Sequence, residues 1–110
     1  MPIIKSAVNT YDFLGNRRMA KESDGKLWVV YRDKANGTYD IKVAYSNNNG
    51  ATWTSETVTT GVGINGGASG QPCLAVDSDG TIHIAWSDTI SPALDVYIYY
   101  RSRTSTGTWS

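Results

Sequence analysis

The chain has 110 residues and a mass of 12.0 kDa, one small domain's worth, and a core of that size covers only a modest share of the surface its unfolded chain exposes. Ten Lys and Arg balance ten Asp and Glu, which removes the positive field of a non-specific nucleic-acid binder. No run nears the roughly 20 apolar residues of a membrane-spanning helix, the opening Met1-Pro2-Ile3-Ile4-Lys5 lacks a signal-peptide pattern, and the lone Cys73 excludes an intrachain disulfide or a cysteine-based metal cluster.

The expectation is therefore a soluble chain of unspecified compartment, without cofactor, in which Cys73 is a buried structural thiol. Eleven Gly, four Trp and seven Tyr, with no sustained helical period, predict an all-β chain rich in tight turns. Residues 1–8 read as a short apolar strand and 9–17 as a loop. Ser23-Asp24-Gly25 is a hairpin signal, and the strand behind it alternates Leu27, Val29, Tyr31 against Trp28, Val30, Arg32. A loop over 33–39 leads to a third strand with Ile41, Val43 and Tyr45 on one side and Ala44 on the other. Both faces are largely apolar, the pattern of a sheet covered on both sides. A turn over 46–53 and a fourth strand over 53–60 complete the unit.

After a Gly-rich loop over 61–71 the order repeats. Residues 23–33 match 78–88 at a shift of 55, and 40–45 fall on 95–100. The second copy has strands over 73–77, 81–87 and 95–101 and begins a fourth at Trp109. Each copy is the size of one propeller blade. Trp28 and Trp86 are expected in the core, and His83 at a contact between blades.

Ser46-Asn47-Asn48-Asn49-Gly50-Ala51-Thr52-Trp53 resembles an Asp-box, the Ser-x-Asp-x-Gly-x-Thr-Trp hairpin of sialidases and other β-propellers, with Asn48 in the Asp place. Asn48 is expected to accept backbone N–H groups of the turn, Gly50 to supply positive φ, and Trp53 to fold under the loop as a buried apolar plug. Residues 102–109 look like a degenerate box that keeps Ser102, Thr108 and Trp109 but lacks the acidic residue and the Gly in its usual place. Residues 71–80 are similar to the first two strands of a sialidase blade, so the resemblance covers nearly the whole chain. It implies two four-stranded blades, 9–60 and 61–110, too few to close a ring. The partner is then the chain itself, as a homotrimer forming a six-bladed β-propeller, with an eight-bladed tetramer as runner-up. Copy two stops at Ser110 where copy one runs on for a strand, so residues 1–8 are expected to form the outer strand of another chain's second blade.

With the hairpins on one rim, the loops 9–17, 33–39, 61–71 and 88–94 share the other. The ligand-binding candidates there are Tyr11, Asp12, Arg17, Arg18, Asp33, Tyr39, Asn65, Gln71 and Asp88, groups that suit sugar hydroxyls and carboxylates. The family's catalytic set does not carry over. Where sialidases have an Arg before strand one this chain has Gly15 and Gly70, a second Arg would fall near Lys34 or Thr89, and no Tyr–Glu nucleophile pair is assigned. Asp33, Asp40, Asp88 and Asp95 occupy the region of the family's general acid. The expected function is a non-catalytic recognition module that binds glycans. A sialidase-type hydrolase and a ligand-free structural protein of a virion or appendage are the alternatives, and neither nucleic acid nor membrane is an expected partner.

Overall fold

A computed structural model of the chain describes residues 18–35, 38–62, 72–90 and 95–110. They form seven strands: β1 (Met19–Lys21), β2 (Leu27–Ala35), β3 (Thr38–Ser46), β4 (Thr54–Val62), β5 (Cys73–Val76), β6 (Ile82–Ile90) and β7 (Asp95–Arg103). The fold is all-β, with a four-stranded sheet in the order β1-β2-β3-β4 and a three-stranded sheet in the order β5-β6-β7, every neighbour antiparallel. No helix among the described residues is long and apolar enough to cross a membrane. Residues 1–8, the expected donated strand, lie outside the described residues.

The connections follow from local turn chemistry, and the strands outrun the expected boundaries. β2 and β3 pair without interruption from Leu27↔Ser46 to Ala35↔Thr38. The loop expected over 33–39 is thus largely strand, because each added antiparallel pair satisfies backbone groups that a loop would leave to water. β6 likewise extends to Ile90, and β4 to Val62. Between Tyr39 and Lys42 the register against β4 shifts, a bulge at the far end of the sheet.

Period-two alternation sorts the side chains into faces. Trp28, Val30, Ile41, Val43, Val58 and Val62 of the first sheet form one buried cluster with Leu74, Ile82, Ile84 and Trp86 of the second. The two sheets are packed face to face, and β1 lies against β5. The outer side of the first sheet, with Leu27, Val29 and Tyr31, is partly buried. The outer side of the second bears Cys73, Ala75, His83, Ala85, Ile98 and Tyr100 in register, and Ile98 is 75% exposed. In the single chain the outer face of the second sheet is therefore open to water. Cys73 is exposed, not the buried thiol expected from its apolar surroundings; Leu74 and Val76 take the inward positions of β5, and alternation turns Cys73 outward.

Charged groups join the sheets at one end. Trp28 and Tyr45 pack with ring centroids 5.0 Å apart, and the Trp28 indole N–H donates to the Glu22 carboxylate at 2.6 Å. The Lys26 ammonium stands 4.8 Å from the Trp28 ring and 4.3 Å from the Tyr45 ring. From β7 the Arg103 guanidinium reaches the same indole at 5.2 Å, with its Nε 2.7 Å from the Glu56 carboxylate of β4. Arg101 donates from its Nη1 to the Val58 carbonyl and stacks on Trp109 at 5.3 Å.

Candidate functional site

Three hairpin loops share one geometry. In residues 22–26, 77–81 and 104–108 the first N–H donates to the fifth carbonyl, at 2.8, 3.0 and 2.9 Å, and the Gly N–H at the fourth position donates back to the first carbonyl. Gly25, Gly80 and Gly107 hold φ of 96°, 77° and 95°, as a type I turn followed by a left-handed residue requires. Residues 102–109 therefore turn through a different hairpin from 46–53: the glycine has moved one place on, to 107, and Thr104 Oγ1 accepts the Thr108 N–H at 3.0 Å.

The turn at 46–53 is tied from within. Ser46 Oγ accepts the N–H groups of Gly50 at 2.8 Å and Asn48 at 3.3 Å and donates to Asn48 Oδ1 at 2.9 Å. Asn48 Oδ1 accepts the Thr52 N–H at 2.9 Å, while its Nδ2 donates to Thr52 Oγ1 at 2.8 Å. Gly50 has φ of 86° and Asn49 of 57°. The Trp53 indole N–H donates to the Gly50 carbonyl at 3.0 Å, which lays the ring beneath the loop. Trp53 is half-buried, not the fully buried plug expected, because the ring covers its own turn and not the core between the sheets. Trp53→Ala should accordingly cost about 1 to 2 kcal/mol, well under the roughly 3 to 5 kcal/mol of a fully buried Trp. Thermal melting should show a fall of about 5 to 15 °C.

Of the ligand-binding candidates, Tyr11, Asp12, Arg17, Asn65 and Gln71 lie outside the described residues. The others do not converge. Arg18 is half-buried and its carbonyl accepts the Val30 N–H at 2.8 Å. Asp33, expected on a loop, is a buried residue of β2 whose carboxylate lies 3.3 Å from Lys42 Nζ. Tyr39, also expected on a loop, is in β3 with its ring 4.5 Å from the Arg32 guanidinium. Since Asp33 pairs in register with Asp40, Asp33 and Tyr39 project from opposite sides of the sheet. Asp88 belongs to β6, opposite Tyr97, and not to a loop. The ladder that lengthens the strands is what withdraws these side chains from the rim.

A polar relay that the sequence reading missed stands on the outer face of the second sheet. Asp77 Oδ2 is 2.9 Å from His83 Nε2, and His83 Nδ1 is 2.7 Å from the Tyr100 hydroxyl, the two rings stacked at 6.0 Å. A neutral imidazole with its proton on Nε2 donates to the carboxylate and accepts the phenol. The Asp77 carboxyl is held below its ordinary value of 3.8, first by the His83 hydrogen bond and then by the N–H of Thr81. Asp77 also closes its own hairpin, accepting the Asp79 and Thr81 N–H groups at 2.9 and 3.0 Å. The signal was present in the shift of 55: His83 takes the place of Trp28 and Tyr100 that of Tyr45, so a polar ring replaces an apolar one in an otherwise repeated aromatic pair. Cys73, Ala75, Ala85 and Tyr100 continue this face as a shallow, largely apolar groove.

On the rim, Glu22, Asp24, Asp77 and Asp79 from two hairpins border a small acidic cleft. Asp24 and Asp77 accept N–H groups of their own hairpins, while Glu22 accepts the Trp28 indole N–H and Asp77 also meets His83. No group of three or more metal-ligating side chains gathers among the described residues. Compared with protein-family models, curated proteins and solved structures, the chain matches none.

Proposed function

We propose that the chain is a two-blade unit that assembles with copies of itself into a β-propeller ring, three chains forming six blades, and that the ring serves non-catalytic recognition with glycans as its ligand class. One observation carries this reading. Beside a four-stranded sheet stands a three-stranded one whose outer face exposes Val96, Ile98 and Tyr100 at 65%, 75% and 59%. Monomers rarely leave a contiguous apolar surface of this kind in water. Beyond β7 the described residues supply only the bridge from Arg103 to Trp109, and an open edge strand is a template for another chain. Residues 1–8 of a neighbouring copy are the candidate for that strand.

The resemblance of 46–53 to an Asp-box supports the propeller class, and the glycan reading rests on the sequence candidates Tyr11, Asp12, Arg17, Asn65 and Gln71, which lie outside the described residues. A ring repeats each weak site three times, so avidity adds to a shallow pocket. Light scattering should give a mass near three times 12.0 kDa; a mass near four times that value replaces six blades by eight, and a stable folded monomer overturns the reading. On a glycan array beside a fluorogenic sialoside assay, binding without turnover is expected, and turnover replaces recognition by hydrolysis.

A further inference from the structure

The 55-residue repeat converts the packing inside the chain into a rule for packing between chains. The face of the first sheet that is buried against the second carries Trp28, Val30, Ile41, Val43 and Tyr45. Their equivalents 55 residues on are His83, Ala85, Val96, Ile98 and Tyr100, the outer face that the second sheet leaves open. In the other direction, Ile82, Ile84 and Trp86, which the second sheet buries against the first, correspond to Leu27, Val29 and Tyr31 on the outer side of the first sheet. Each sheet thus has one face of each kind. One contact between unlike faces is made within the chain, and at its two ends stand the open outer face of the second sheet and the partly buried Leu27 side of the first.

We propose that the outer face of the second sheet, centred on Ile98 and Tyr100, seats the Leu27–Val29–Tyr31 face of another copy. Copies then add head to tail in the arrangement that the two sheets already adopt within one chain. This deepens the ring reading above and rests on it. A contact between unlike faces is heterologous, and it closes into a ring when the rotation per chain divides a full turn. A contact between like faces would set Tyr100 against Tyr100 and give the partly buried Leu27 side no facing sheet. Apolar area supplies the driving force, and the charges beside the Leu27 face are matched, with Lys42 paired to Asp33 at 3.3 Å.

Two variants of the full chain and one thiol test this. Ile98→Asp places a charge at the centre of one face, where the side chain is exposed in the single chain and the fold should be kept; Val29→Asp does the same to the other. By light scattering each alone should run as a single chain, with its sheet signal in circular dichroism retained. Mixed in equal amounts they should give a species near twice 12.0 kDa, the intact face of one seated on the intact face of the other.

Cys73, on the same face as Ile98, provides a readout that does not depend on Val29→Asp folding. In the unaltered assembly it should react with a water-soluble thiol reagent about tenfold more slowly than in Ile98→Asp, since a covered thiol reacts only on opening. If Ile98→Asp keeps the parent mass and labels at the parent rate, the seat lies elsewhere while the ring reading stands. If Val29→Asp chains pair with one another, like faces meet and head-to-tail addition is wrong. If the unaltered chain is itself a monomer, the ring reading falls and this inference with it.

Discussion

Trp28→Ala should lower the stability of the fold by about 3 to 5 kcal/mol, the loss typical of a large aromatic side chain removed from a core. The indole is fully buried and is the meeting point of both sheets. Tyr45 packs against it at 5.0 Å, Lys26 and Arg103 approach its ring at 4.8 and 5.2 Å, and Glu22 accepts its N–H. Truncation opens a cavity, strands a carboxylate and removes the π-face that two cations share. A domain holds only about 5 to 15 kcal/mol in all, so urea denaturation should show a large drop in midpoint. Trp28→Phe keeps most of the volume and should lose less than half as much. A loss under about 1 kcal/mol for the Ala variant would mean that the core is not organised around this residue.

Arg103→Ala should cost about 2 to 3 kcal/mol through a different mechanism. Breaking one partner of a buried ion pair typically costs 3 to 5 kcal/mol because the other charge is left without compensation. Arg103 is only 9% exposed and sits 2.7 Å from Glu56, but Glu56 is 30% exposed and partly screened by water, which reduces the loss. The double variant Arg103→Met with Glu56→Leu should recover most of it, since replacing both charges by apolar groups of similar size removes the desolvation cost along with the attraction. A double-mutant cycle measured by denaturation gives the coupling directly. If the double variant were as unstable as Arg103→Ala, the packing of Arg103 on Trp28 and not its charge would be the stabilising contact.

The hairpins were legible in the sequence because each is held by bonds between near neighbours. Ser23-Asp24-Gly25 and Ser78-Asp79-Gly80 put Gly where φ must be positive, and the Ser46, Asn48 and Thr52 side chains reach only two to four residues along the chain. The strand ends were less legible. Asp33, Tyr39 and Asp88 read as loop residues from their polarity, yet continuous pairing across 27–35 and 38–46 draws the first two into the ladder. Polarity reports exposure to water poorly when a partner such as Lys42 or Arg32 lies across the strand. That is also why the candidate binding residues do not gather: they were grouped by an assumed loop and are parted by the sheet that replaces it.

What the sequence by itself determined is the all-β class, the repeat at 55, the order of strands and turns, and the two-sided apolar pattern of β2 and β3, all of which depend on spacing and on local backbone preference. The tertiary structure decided which face is packed. Both faces of the second sheet carry apolar residues, and only the presence of the first sheet opposite Ile82, Ile84 and Trp86 buries those three and leaves Ile98, Tyr100 and Cys73 outside. It also decided that Arg103 meets Glu56 and Trp28, and that Asp77, His83 and Tyr100 form a line. These contacts join strands 17 to 75 residues apart, or depend on a register that only the paired sheet sets, and no periodicity within one strand encodes what the facing strand will present.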